Sequence, residues 1–193
     1  MRKFISLMTA VAICGVGLAG CGEKAAQDTK SEDGAAVSAE TGGMPSDWKA
    51  TDACSIVDKS VVAAVMKTEI PESRVSLVHK PNGAEAATST CNYLRGDGAS
   101  VASLQVRWSP ISDNTPETMA LTKKTTFETM NAFTEAKVED VPNLGISAFL
   151  VPRFDQLTVF IDKARMIMVT VEKVPDGASG KDIAIELARK AGA

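Results

Sequence analysis

Covalent chemistry needs a nucleophile beside a base, a pair of tuned carboxylates, or a set of metal ligands. This chain is short of each. It has 193 residues with four cysteines and one histidine. No serine or cysteine motif points at His79, so a nucleophilic triad lacks its base, and the histidine is expected at an exposed strand end. Cys54, Cys91 and His79 are too few for a zinc site and show none of the paired spacings such sites use, so no metal is implied. Glu139 and Asp140 stand just before Pro142 and are expected to be solvated loop charges. Gly96 and Gly98 belong to a turn rather than to a phosphate-cradling loop. Arg95-Gly96-Asp97 spells an adhesion tripeptide, but a hairpin tip needs these residue types in any case. The residues imply no catalytic group and no cofactor.

The cysteines are more informative once their positions are considered. Met1-Arg2-Lys3 is a small positive start, an apolar run follows from Phe4 to Val16, and Leu18-Ala19-Gly20-Cys21 comes next. Charged, apolar, then small is the layout of a secretory leader. With cysteine directly after the small residues, the stretch resembles the lipobox of bacterial lipoproteins. The resemblance implies cleavage between Gly20 and Cys21, a diacylglyceryl thioether on Cys21, and acylation of the new amino group. Cys14 would leave with the leader. Cys54 and Cys91 then remain for an oxidising compartment, where a pair is expected to bridge. The chain-entropy model puts that bridge at about 4 kcal/mol.

Three stretches follow from this layout: residues 1–20 as a leader, 21–47 as a lipidated cysteine with a flexible acidic tether, and 48–193 as one domain. The full chain carries a net charge of −3, and losing Arg2 and Lys3 makes the mature chain more acidic still. Most of that excess is in the tether, where Glu23, Asp28, Glu32, Asp33, Glu40 and Asp47 face only Lys24 and Lys30. Val37 is the tether's one branched apolar residue, too little to offset ordering entropy. The domain is close to neutral and lacks the basic footprint of a nucleic-acid binder.

Within the domain, Asp52 to Ser55 predicts a short helical entry, and Asp58 caps a helix to about Lys67 with Val61, Val62, Val65 and Met66 inward. Ile70-Pro71 is expected to end it. Arg74–His79 alternates weakly, with Val75 and Leu77 on one face, and an Ala-rich loop follows Pro81-Asn82-Gly83. Thr90–Arg95 and Val101–Trp108 predict a hairpin. Thr115-Pro116-Glu117 opens a helix whose Met119, Phe127, Met130 and Phe133 are expected in the core. Val138–Val141, Ile146–Val151, Leu157–Ile161 and Met166–Val171 predict further strands, the last two covered on both faces. Ser179 starts a final helix that buries Ile183, Leu187 and Ala191. The expected fold is α+β: an antiparallel sheet with packed helices.

Asp52-Ala53-Cys54-Ser55-Ile56-Val57, the capped helix after it, and Thr90-Cys91-Asn92-Tyr93 resemble the paired-cysteine bacterial envelope lipoproteins of unknown function. Val141-Pro142-Asn143-Leu144-Gly145-Ile146-Ser147-Ala148-Phe149 is similar to their apolar–Gly–Leu–Gly–Asp–Ala segment, with Asn143 where Gly is common and Ser147 near the usual Asp. The resemblance implies a PsbP-like α/β sandwich and carries over no catalytic residues. The expectation is a non-enzymatic binding module held to membrane lipid through Cys21, its partner another envelope protein or a small ligand. The alternative is a hydrolase acting on envelope material through carboxylates. Gly22 after the lipidated cysteine implies the periplasmic face of the outer membrane, if the host has two membranes.

Overall fold

The computed structural model describes residues 43–132, 134–135 and 137–193. The leader, Cys21 and the tether to residue 42 lie outside them, as does Phe133. The fold is α+β. Seven strands form one antiparallel sheet in the order β1-β2-β3-β7-β6-β5-β4. They are β1 (Glu72–His79), β2 (Ala87–Leu94), β3 (Ser100–Trp108), β4 (Glu139–Asp140), β5 (Ser147–Val151), β6 (Gln156–Phe160) and β7 (Arg165–Val171). The three helices are α1 (Lys59–Met66), α2 (Pro116–Asn131) and α3 (Gly180–Lys190). Two meanders, β1–β3 and β4–β7, meet where β3 pairs with β7, and α2 spans the connection between them.

The two faces of the sheet differ because the strands alternate differently along it. On the first face, Val75, Cys91, Leu104, Val169, Leu157 and Leu150 form an unbroken row of cross-strand neighbours from β1 to β5. From Cys91 to Leu150 this row joins the core with Val62 and Met66 of α1 and with Ile183, Ala184, Leu187 and Ala188 of α3. The neighbouring row on the second face runs Ser76, Thr90, Gln105, Met168, Thr158, Phe149. It is polar at the β1 end and apolar at the β5 end. Phe149, Val151 and Phe160 are buried there, while the second-face residues of β7 are only half-buried. Thus β6 is covered on both faces, and β7 on one.

The entry segment, including a short 3-10 turn at Ala53–Ser55, is fastened to β2 by three residues of one strand face. Ser89 Oγ accepts from the Ala53 N–H and donates to Ala50 O, each at 2.8 Å. Cys91 forms a disulfide with Cys54, with 4.9 Å between their Cα atoms. Tyr93 Oη donates to Val57 O at 2.7 Å. Alternation along β2 puts every second side chain on this face, so three successive inward positions grip successive parts of the segment. Asp58 caps α1 by accepting from the Ser60 N–H, and Ser179 caps α3 by accepting from the Asp182 N–H.

Several expectations need correction. α1 ends at Met66, in keeping with its expected extent to about Lys67, but what ends it is the left-handed conformation of Lys67 (φ 50°) rather than Ile70-Pro71. Its Val61 and Val65 are half-buried rather than buried. Val75 and Leu77 do not share a face: a bulge between Ser76 and His79 sets Leu77 at φ 51° and leaves it 76% exposed. Part of the Ala-rich loop belongs to β2, which begins at Ala87.

The largest correction concerns α2, which buries no residue. At about 100° per residue, Met130 returns to within roughly 20° of Met119, whereas Phe127 lies about 80° away. Met119, Thr122, Thr126 and Met130 accordingly form its half-buried stripe, and Phe127 is 41% exposed. Two threonines in the middle of that stripe give the helix little apolar surface to bury.

Candidate functional site

Cys54 and Cys91 serve the fold as a disulfide. His79 is exposed at the end of β1, 3.4 Å from Glu85 Oε2, with no nucleophile against it among the described residues. Glu139 and Asp140 are not loop charges. They form β4, and each reaches a helix: Asp140 pairs with Lys123 of α2 at 2.6 Å, and Glu139 with Lys181 of α3 at 3.3 Å. The adhesion tripeptide is committed internally, since Arg95 and Asp97 pair across the hairpin tip and Asp97 also accepts from the Ala99 N–H. Among the described residues, no group of three His, Cys, Asp or Glu side chains could hold a metal ion, and no helix is long and apolar enough to cross a membrane.

Carboxylate chemistry can be tested by the direction in which the acids titrate. Burial raises Asp113, but its neighbours outweigh it, Arg107 by a hydrogen bond and its charge and Ser109 by its polar hydroxyl, and leave the carboxyl below its ordinary value. Burial likewise raises Asp162, and the Ala164 and Arg165 donors overcome it. Asp58, Asp97 and Glu117 are lowered too, each mainly by hydrogen bonds to its charged form. A general acid near neutral pH needs the opposite shift.

The concave surfaces lie away from the packed core, where the void lined by Val57, Val62, Tyr93 and Leu187 holds only ≈10 Å³. One cleft, of ≈550 Å³, runs between the threonine side of α2 and Gln156 and Met168 on the second face. Another, of ≈590 Å³, lies on the other flank of α2, between Phe127 and Val138, with Lys123, Lys124 and Lys137 on its rim. Both exist because α2 covers the apolar half of the second face without sinking into it.

A third cleft, of ≈220 Å³, opens at the end of the sheet where loops gather. Lys67 and Thr68 enter it from the end of α1, Arg95 from the β2–β3 hairpin, and Lys173, Val174, Pro175 and Asp176 from the loop after β7. Val101 lines its base. The β7 loop is pinned there, since the Glu172 and Lys173 N–H groups both donate to Val101 O. Three cations from three distant parts of the chain therefore share one small opening with one acid. Asp97 engages Arg95. Among the described residues, Lys67 and Lys173 have no carboxylate within ion-pair distance. Sequence inspection misses this constellation because the three residues share no local motif. The one available signal is positional: each stands just past the end of a regular element.

No family model, characterised protein or solved structure matches the chain.

Proposed function

We propose that the protein is an envelope lipoprotein: acylated at Cys21, held to membrane lipid, carried on a flexible acidic tether, and acting through a domain that binds rather than catalyses. The observation that carries this is the order Leu18-Ala19-Gly20-Cys21 after a charged and apolar leader, ahead of a domain braced by a disulfide. Disulfides persist in oxidising compartments, which agrees with export. Two or three acyl chains give firm anchoring where one would not. A sheet with helices on both faces supports the further proposal of a PsbP-like α/β sandwich among the paired-cysteine lipoproteins. Asn143 sits at φ 60°, a left-handed conformation that both glycine and asparagine adopt readily, so asparagine in place of the glycine common in that segment is compatible with the resemblance. Gly22 favours the periplasmic face of an outer membrane in a host with two.

Binding is preferred to envelope hydrolysis because the half-buried acids Asp113 and Asp162 are each committed to an arginine, Arg107 and Arg165, and are held below their ordinary values, the wrong direction for a general acid. The partner would be another envelope protein or a small ligand. Changing Cys21→Ser tests the anchoring. The variant is expected to remain an uncleaved precursor that takes up no labelled palmitate. Processing and labelling like the wild type would remove Cys21 as the anchor, and the lipoprotein proposal with it.

A further inference from the structure

We propose that the cleft among Lys67, Arg95 and Lys173 is an anion site that takes a single phosphate-type group. This rests on the domain being a binding module and names the chemistry that the module recognises. The domain as a whole is close to neutral, so gathering three cations at one opening is a local excess rather than a reflection of composition. Asp176 in the lining and Asp97 on Arg95 offset part of it but not all.

Ordinary structural duties account for only part of the cluster. Lys67 suits the negative end of α1. Arg95 braces its hairpin through Asp97. Lys173 caps no helix and pairs with no acid among the described residues, yet its backbone is fastened at Val101 so that it enters the cleft.

Size and lining narrow the ligand class. At ≈220 Å³ the cleft is smaller than the roughly 300–1,000 Å³ that drug-sized ligands occupy. It suits one compact charged group, with Val101, Val174 and Pro175 as apolar lining and Thr68 beside them. Lysine and arginine together match a phosphate's charge and its several acceptor oxygens. Such a group arrives either free, on a soluble phosphate, or as the headgroup of an anionic lipid.

Lysine acetylation on the full-length mature protein, read by mass spectrometry, tests the site and separates the two sources. In detergent, about 10 mM inorganic phosphate should slow acetylation of Lys67 and Lys173 about threefold against chloride of equal ionic strength. Lys49 and the exposed Lys80, which line none of the clefts, should not change. In the second arm, the protein is anchored in phosphatidylcholine vesicles with or without phosphatidylglycerol. Protection only with phosphatidylglycerol assigns the site to a headgroup, and protection by inorganic phosphate alone assigns it to a soluble ligand. Lys173→Gln, with an unchanged melting temperature, should abolish the protection at Lys67. No protection in either arm overturns the proposal. Equal slowing at Lys49 and Lys80, or protection at Lys67 that survives Lys173→Gln, overturns it as well. The soluble arm needs no membrane, so it decides the site even where anchoring through Cys21 fails.

Discussion

Ser89→Ala should be among the most costly single-atom deletions in the domain. Ser89 is buried, as are Ala50 and Ala53, the residues it joins. Its hydroxyl accepts one N–H and donates to one carbonyl, both at 2.8 Å. Removing the oxygen strands a donor and an acceptor where water does not reach. Each orphaned group costs about 1–3 kcal/mol, so the expected loss is about 2–4 kcal/mol after some local relaxation. For a domain of this size that is a fall of very roughly 5–15 °C in melting temperature. Urea unfolding of the oxidised protein measures it, and the slope should stay constant because the disulfide between Cys54 and Cys91 limits fraying. Ser100, which bonds only Ala102 O at 3.3 Å beside solvent, is the control, and Ser100→Ala should cost less than about 0.5 kcal/mol. A Ser89→Ala loss no larger than the control would show that the entry segment is not held through this hydroxyl.

Tyr93 gives a clean titration because the chain contains one tyrosine. Burial, and secondarily the charge of Asp58, push its hydroxyl far above the ordinary value near 10. A group whose folded value is raised contributes stability that is complete below the unfolded value and is lost as pH rises beyond it. Tyrosinate absorbance should therefore appear only together with base unfolding, above about pH 10, and ionisation within the folded protein would contradict the burial. Gly145→Ala should destabilise by about 3 kcal/mol or more, measured by thermal unfolding, whereas Asn143→Gly should stay within about 1 kcal/mol. The difference follows from contact: Asn143 and Gly145 both have positive φ, but an added Cβ at Gly145 would collide with Phe160 O. Equal effects at the two positions would mean that β6 yields to the methyl group.

Much of the architecture was legible because local rules and tertiary packing agree there. The caps at Asp58, Thr115 and Ser179, the β2–β3 hairpin and the period-two strands all lie where residue chemistry places them. The misreadings arose where two rules competed. Pro71 looked like the stop of α1, but the backbone of Lys67 had already ended it. Leu77 fitted an inward position until a bulge rotated it outward, and no residue type announces such a bulge. In α2, spacing by eye grouped Phe127 with Met119, although helical rotation separates them. The cation cleft escaped notice for a different reason: Lys67, Arg95 and Lys173 converge only once the sheet order has brought three loops to one end.

That placement bears on where binding can occur. The first face is closed by α1, α3 and the grip of Ser89, Cys91 and Tyr93, so a ligand there would have to displace packed core. On the second face α2 rests on a half-buried methionine–threonine stripe, and an ion pair from Lys123 to Asp140 helps to hold it. An exposed ion pair is worth about 1 kcal/mol at most, so the clefts beside α2 can change shape at low cost and are poorly suited to fixing charged groups. The cleft at the sheet end differs in that respect. Its β7 loop is pinned by two backbone hydrogen bonds to the carbonyl of Val101, a residue buried in the core. A site that must hold charges near one another needs such rigid mounting, because mobile side chains would simply move apart into water. The cleft between Phe127 and Val138 also gathers three lysines, but Lys123 and Lys124 already pair with Asp140 and Glu128, whereas Lys67 and Lys173 have no carboxylate within ion-pair distance among the described residues, which is why the anion site is placed at the sheet end and not beside α2.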